Sequence, residues 1–251
     1  MNEQNIQQLK SFKILLIGDD CVDVYQLGTV DRISPEAPVM VFCPAEKYSL
    51  PGMAGNVKAN LEALGCEVNY LHGNTSIKTR LVDSKSGNQL MRIDQDNVSA
   101  PIELETLVPE IYDAVVISDY NKGTVSYEII EEIRSTYSGP IFIDTKKTDL
   151  KRLEGCTVKV NDLEYSNLTS ECTDLVVTHG KNGASYLGYN IPAIPVEVND
   201  VVGAGDTFLS AMTYQYLNTK NMNSALEFAI KASAITVQHR GVYAPKLEEI
   251  L

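Results

Sequence analysis

Asn199-Asp200-Val201-Val202-Gly203-Ala204-Gly205-Asp206-Thr207-Phe208 is the stretch from which the rest of the chain is read. Two glycines flank an alanine, so the successive amides of Gly203, Ala204 and Gly205 turn toward one point with little Cβ obstruction. An apolar stripe at helical spacing follows, through Phe208, Met212 and Tyr216. A helix starting here adds unpaired N–H groups and the positive end of its dipole, which suits a phosphate gaining charge during transfer. Asp206 falls on the first turn, where a carboxylate accepts the proton of an attacking hydroxyl while the amides hold phosphoryl oxygens. These residues point to phosphoryl transfer from a nucleotide to an alcohol. Gly-Ala-Gly-Asp before a helix is equally the pattern of a tight turn with a cap, and the four residues alone leave both readings open.

Outward from this loop, the chain alternates strand and helix patterns. Lys13–Gly18 is an almost wholly apolar run stopped by glycine, as expected of a parallel strand buried on both faces. Asp19, Asp20 and Asp23 follow it, where open α/β sheets bind ligands. Further strands are predicted at Glu67–Leu71, Ala114–Ser118, Pro140–Asp144, Thr157–Val160 and Leu175–Thr178, with a helix from an N-cap at Thr124 to about Tyr137. This alternation predicts an α/β fold with a doubly wound, mostly parallel sheet. Tyr25 to Cys43, broken by Pro35 and Pro38, reads as two extended segments, and Ile77–Val82 with Gln89–Ile93 as a hairpin around 83–88. The ribbon over Tyr25–Cys43 is too short to carry a core of its own.

Several polar residues stand out. Gly52, Gly55 and Asn56 precede a helix over Val57–Leu64 and allow close approach of a ligand, with Asn56 offering donor and acceptor. Lys78 and Arg80, two apart on a strand, share one face, either as edge solubility or as an anion clamp. Lys122, Lys146 and Lys147 follow strands, and Lys147 reads as a solvated surface charge. Asn161 and Glu164, three apart at a helix start, form a capping box by spacing.

The 251 residues suffice for one large α/β domain, and 44% hydrophobic content fits a soluble globular chain. A net charge of −12 argues against a nucleic-acid partner. Five cysteines without metal-type pairing read as reduced thiols of a cytoplasmic protein. Met1–Lys10 is polar and lacks the apolar core of a signal peptide, and no run approaches a membrane span.

Asp-x-x-Gly-Ala-Gly-Asp-Thr-Phe at 200–208 resembles the C-terminal signature of the ribokinase-like (PfkB) carbohydrate kinases. Gly18-Asp-x-x-x-Asp23, Asn-x-x-Glu at 161–164 and Thr-x-Gly-x-x-Gly at 178–183 resemble other motifs of that family. Within it, Arg-Ile-Ser-Pro-Glu-Ala-Pro at 32–38, Lys-x-Arg at 78–80, Ser-Asp-Tyr-x-Lys-Gly at 118–123 and Ile-Asp-x-Lys-x-Thr-Asp at 143–149 resemble the bacterial heptose-7-phosphate kinases. The resemblance implies a single ribokinase-like domain over 1–251, with a small β-sheet lid from segments at about 24–43 and 76–94 that often pairs with a second subunit. It implies ATP as co-substrate, and a sugar or sugar phosphate, best a heptose 7-phosphate, as acceptor. Asp206 becomes the general base and Gly203, Ala204 and Gly205 the anion hole. Asp19, Asp23, Gly52, Asn56, Lys78, Arg80, Lys122 and Lys146 would contact the acceptor; Asn161, Thr178, Gly180, Gly183 and Gly241 the nucleotide. Glu164 would organise Mg²⁺ through water, and Asp200 with Val202 a monovalent cation such as K⁺. A non-catalytic sugar- or nucleotide-binding paralogue is the alternative. The chain departs from the family pattern at Met53 and Gly55, and it lacks segments between Leu71 and Ile77 and between Leu168 and Thr173.

Overall fold

The computed structural model describes residues 11–104 and 111–251; the polar run Met1–Lys10 lies outside them. Ten strands form one sheet: β1 (Lys13–Ile33), β2 (Met40–Met53), β3 (Glu67–Asp83), β4 (Gln89–Gln95), β5 (Ala114–Asp119), β6 (Ile141–Thr145), β7 (Thr157–Asn161), β8 (Leu175–Thr178), β9 (Ala184–Tyr186) and β10 (Tyr189–Ile191). Their order is β10-β9-β8-β7-β6-β5-β1-β3-β4, with β2 paired to β1. Among the described residues the α-helices are α1 (Ala54–Ala63), α2 (Tyr127–Thr136), α3 (Asp162–Ser166), α4 (Ala204–Thr219), α5 (Met222–Thr236) and α6 (Leu247–Ile250).

Alternation along β1 sorts the core into two layers. Ile14 and Leu16 pack with α1, α4, α5 and α6, whereas Leu15 and Ile17 pack against α2 on the opposite face. All four are fully buried, as the apolar run requires.

Gly18 does not end the strand. A Cβ there would collide with the Ser118 carbonyl and come within 2.7 Å of Ala54 Cβ, so glycine lets β1, β5 and α1 close together while the strand continues. β1 then exchanges one neighbour: it runs parallel to β5 over Ile14–Gly18 and antiparallel to β2 over Asp20–Ile33, while β3 stays parallel to it on the other side. The expected strand at 67–71 and the first arm of the expected hairpin are likewise one strand, β3, whose far end turns back as β4. The second halves of β1 and β3, with β2 and β4, form a four-stranded extension of the main sheet. Its edge strand β2 tolerates Pro44 and Pro51 because no further strand needs their missing N–H groups.

Helix α2 begins later than the sequence suggests. Ser126, not Thr124, is its N-cap, accepting from Ile129 N, while Thr124 is fully buried. All five cysteines are free thiols; burial pushes Cys66 up to about 12, which leaves it protonated and inert at neutral pH. Among the described residues no helix is long and apolar enough to cross a membrane.

Candidate active site

The C-terminal ends of β5, β6 and β7 meet the N-terminus of α4 around a cavity of about 120 Å³. It gathers six residues singled out from the sequence: Lys146, Asn161, Glu164, Gly203, Gly205 and Asp206. It also brings in Asp119, Tyr120, Asp144 and Lys159, which sequence reasoning missed.

Gly203 caps α4 with φ 79°, and a Cβ there would lie 2.7 Å from the Asn56 amide nitrogen, so both backbone sign and space demand glycine. The Ala204 amide turns back onto the Val201 carbonyl at 3.3 Å and Thr207 N donates to Gly203 O at 2.9 Å. Among the described residues no backbone carbonyl takes up the Gly205 and Asp206 N–H groups, which makes them the free donors of the cradle.

Asp206 is 5% exposed. Asn56 Nδ2 donates to its Oδ2 at 2.8 Å and the Tyr120 hydroxyl to its Oδ1 at 3.0 Å. Burial raises its pKa to about 6, aided by the Asp144 charge and opposed by the Asn56 and Tyr120 hydrogen bonds and by Lys159. A carboxylate tuned near neutrality suits general-base work better than one at the ordinary value.

Lys159 is the chief residue that the sequence reading passed over. Its side chain is 4% exposed, its ammonium donates to Asp144 Oδ2 at 2.6 Å, and a Cβ at Gly205 would lie 3.0 Å from that nitrogen. Burial disfavours the ammonium, but the Asp144, Glu164 and Asp206 carboxylates outweigh it and hold the lysine charged. A fixed positive charge thus stands beside the free amides, where a transferring phosphoryl group would need it.

Glu164 and Asn161 form the capping box of α3: Glu164 N donates to Asn161 Oδ1 at 2.9 Å and Asn161 N to Glu164 Oε2 at 2.8 Å. The other Glu164 oxygen pairs with Lys146. Among the described residues no three His, Cys, Asp or Glu side chains cluster as metal ligands. The donor set therefore fits Mg²⁺ only as an ion held mostly by water and phosphate, with Glu164 as outer support.

Other expected site residues are spent differently. Asp19 is buried and accepts from the N–H groups of Tyr120, Lys122 and Thr124, so it fixes the loop after β5 instead of facing the cavity. Asp23 and Arg80 form a buried ion pair at 2.5 Å, with Gly52 packed so closely that a Cβ would lie 2.6 Å from the second Asp23 oxygen. Arg80 also lies over the Tyr25 ring. Lys78 shares that face, as its spacing implies, and its ammonium is 5.8 Å from the Tyr120 ring centroid. The Lys122 ammonium is paired with Asp96 at 2.5 Å. Lys147 is not a surface charge: its side chain is 7% exposed, 3.0 Å from the fully buried Asp119 carboxylate. Asp200 accepts from Val202 N at 3.0 Å and Gly241 N at 2.9 Å, tying the loop before α4 to the segment after α5. Thr178 donates to the Val160 carbonyl, and Gly180, Gly183 and Gly241 take positive φ, but none of the four lines the cavity.

Residues 144–250 match the family model described as pfkB family carbohydrate kinase. The bifunctional protein HldE of Nitratiruptor sp. is 30% identical to this chain over 95% of its residues. The chain carries a PfkB carbohydrate kinase domain. HldE of Hydrogenovibrio crunogenus is also 30% identical, over 98% of the chain. The chain spans about 64% of the length of these two relatives. The alignment with the first runs over 301 residues against the 251 of the PfkB chain, so the relatives carry segments that it lacks. Phosphofructokinase-2 from Escherichia coli, solved in complex with potassium, superposes with a TM-score of 0.72 at 16% identity, covering 96% of this chain and 97% of that one. Ribokinase from Arabidopsis thaliana, complexed with ribose and ATP, gives 0.70 at 14% identity, covering 96% and 98%. The fold of the PfkB chain is ribokinase-like.

Proposed function

We propose that this chain transfers the γ-phosphoryl group of ATP to a hydroxyl of a sugar or sugar phosphate. The observation that carries the reading is Asp206, buried, raised to about 6 and facing the same cavity as the free cradle amides and the Lys159 ammonium. Asp206 takes the proton of the acceptor hydroxyl as its oxygen attacks phosphorus, and ADP leaves with the electron pair. The Gly205 and Asp206 amides and Lys159 hold the charge that grows on the phosphoryl oxygens. Lys146, on the rim of the cavity, exchanges Glu164 for a phosphate oxygen. Glu164 would order the water shell of a Mg²⁺ ion, which would supply charge neutralisation of the triphosphate. A monovalent cation beside Asp200 and the Val202 carbonyl would stiffen the loop leading into the cradle.

The favoured acceptor is a heptose 7-phosphate, reacting at its anomeric hydroxyl. The motif resemblance at 32–38, 118–123 and 143–149 supports it, and Lys78 supplies a cation on the face that approaches Tyr120. The four-stranded extension acts as the lid over the acceptor. Its outer face, opposite Tyr25 and Arg80, exposes Ile77, Met91 and Ile93, and a second copy of the chain would cover it. Sedimentation of Ile93→Arg tests that contact: a monomer is expected where the parent sediments as a dimer, and an unchanged dimer refutes it.

A panel of sugars and sugar phosphates incubated with MgATP, read by ADP release and by ³¹P resonance of the product, tests the activity. Acceptor-dependent ADP with a new phosphate ester is expected. Saturable binding of ATP and sugar with no ester from any acceptor would make the chain a binding paralogue.

A further inference from the structure

Asp206 activates whichever O–H group sits on it, and water is the acceptor always present. The hydroxyl that sits there is Tyr120's, donating to Asp206 Oδ1 at 3.0 Å while Asn56 holds Oδ2. We propose that Tyr120 is a water guard, its phenol filling the proton-donor position on Asp206 until the acceptor alcohol displaces it, so that ATP is not spent on water. The proposal rests on the kinase reading of the site.

Three features support it. The backbone of Tyr120 is fixed, with its N–H on Asp19 and the next residue, Asn121, at φ 57° donating back to Asp119, so displacement is a side-chain movement alone. The ring is flanked by two ammonium groups, Lys146 at 5.3 Å and Lys78 at 5.8 Å from its centroid. Anionic ligands that draw these lysines away loosen the ring as they bind. The phenol is also a donor that the base cannot consume: burial and the neighbouring Asp206 charge hold its pKa well above the ordinary tyrosine value.

The reaction guarded against is hydrolysis of ATP. A water oxygen bonds to the γ-phosphorus, the bond to the bridging oxygen breaks, ADP leaves with the electron pair, and Asp206 receives the water proton. Tyr120→Phe keeps the ring and its two cation contacts but deletes the hydroxyl. The vacated hydroxyl position faces Asp206 Oδ1 and adjoins the cavity that Tyr120 lines, so a water there has the freed carboxylate oxygen as its acceptor.

The test measures MgATP hydrolysis without acceptor in the parent, Tyr120→Phe and Tyr120→Leu, beside phosphoryl transfer to the best acceptor of the panel. Melting curves establish that each variant is folded. We expect the ratio of hydrolysis to transfer to rise about tenfold or more in Tyr120→Phe and further in Tyr120→Leu. A ratio that is unchanged or lower in both folded variants overturns the guard and leaves Tyr120 as a support of the base. Failure of the kinase reading looks different: the parent itself would then transfer to no acceptor.

Discussion

The two halves of β1 use one continuous strand in opposite ways. Over Lys13–Gly18 it lies between β3 and β5, with Ile14, Leu15, Leu16 and Ile17 fully buried between helical layers. Each such side chain contributes about 1.5–3 kcal/mol by leaving water, and none carries chemistry. Over Asp20–Gly28 the same strand lies between β2 and β3, and beside the buried Cys21, Val24 and Tyr25 it carries a charge pair, Asp23 with Arg80; beyond Gly28 it keeps only β2, and Arg32 and Ile33 end exposed. The first half is held by area and tolerates any apolar residue of suitable size. The second is held at a few points, so the extension's stability is concentrated in single side chains.

That contrast breaks most visibly at Arg80. Arg80→Met leaves Asp23, 5% exposed, as an uncompensated buried charge and should cost about 3–5 kcal/mol in denaturant unfolding. A loss under about 1 kcal/mol would mean that the extension is held by area after all. The base comes next. The fold raises the Asp206 pKa from 3.8 to about 6, so the ionised form is penalised above pH 6 by about 3 kcal/mol, and the penalty is gone below the unfolded value. Asp206→Asn should therefore be more stable than the parent at pH 8, with most of the difference gone by pH 4. Equal gains at both values would place its cause elsewhere. The smallest effect belongs to Lys85 and Asp31, an ion pair in the same extension with side chains 66% and 57% exposed. Lys85→Met should leave the melting midpoint unmoved at moderate salt, because solvent already screens the pair.

Local chemistry made much of this legible in sequence. The strand alternation, the turn at Gly203, the position of Asp206 on the first turn of α4 and the Asn161–Glu164 box follow from short-range spacing, and each is present. The misses are long-range. Lys78 and Arg80 do share a face, but nothing local reveals that Arg80 is committed to Asp23, 57 residues away. Asp19 sits at a ligand-binding strand end yet serves three amides about a hundred residues on. Gly18 reads as a terminator because its true constraint, the approach of Ser118 and Ala54, comes from other elements. Lys159 did leave a signal: a lysine inside a strand buried on both faces is anomalous unless paired, and Asp144 stands beside it on the neighbouring strand. Lys147 shows the converse, a charge that looks like surface and is buried by Asp119.

The central claim is that one buried carboxylate takes the acceptor proton across a cradle of amides. It is tested most directly by single-turnover transfer from MgATP to the best acceptor at pH 8, comparing the parent with Asp206→Asn. A fall of about 10²–10⁴-fold is expected, with ATP affinity and folding retained. Transfer within a few-fold of the parent would contradict the account.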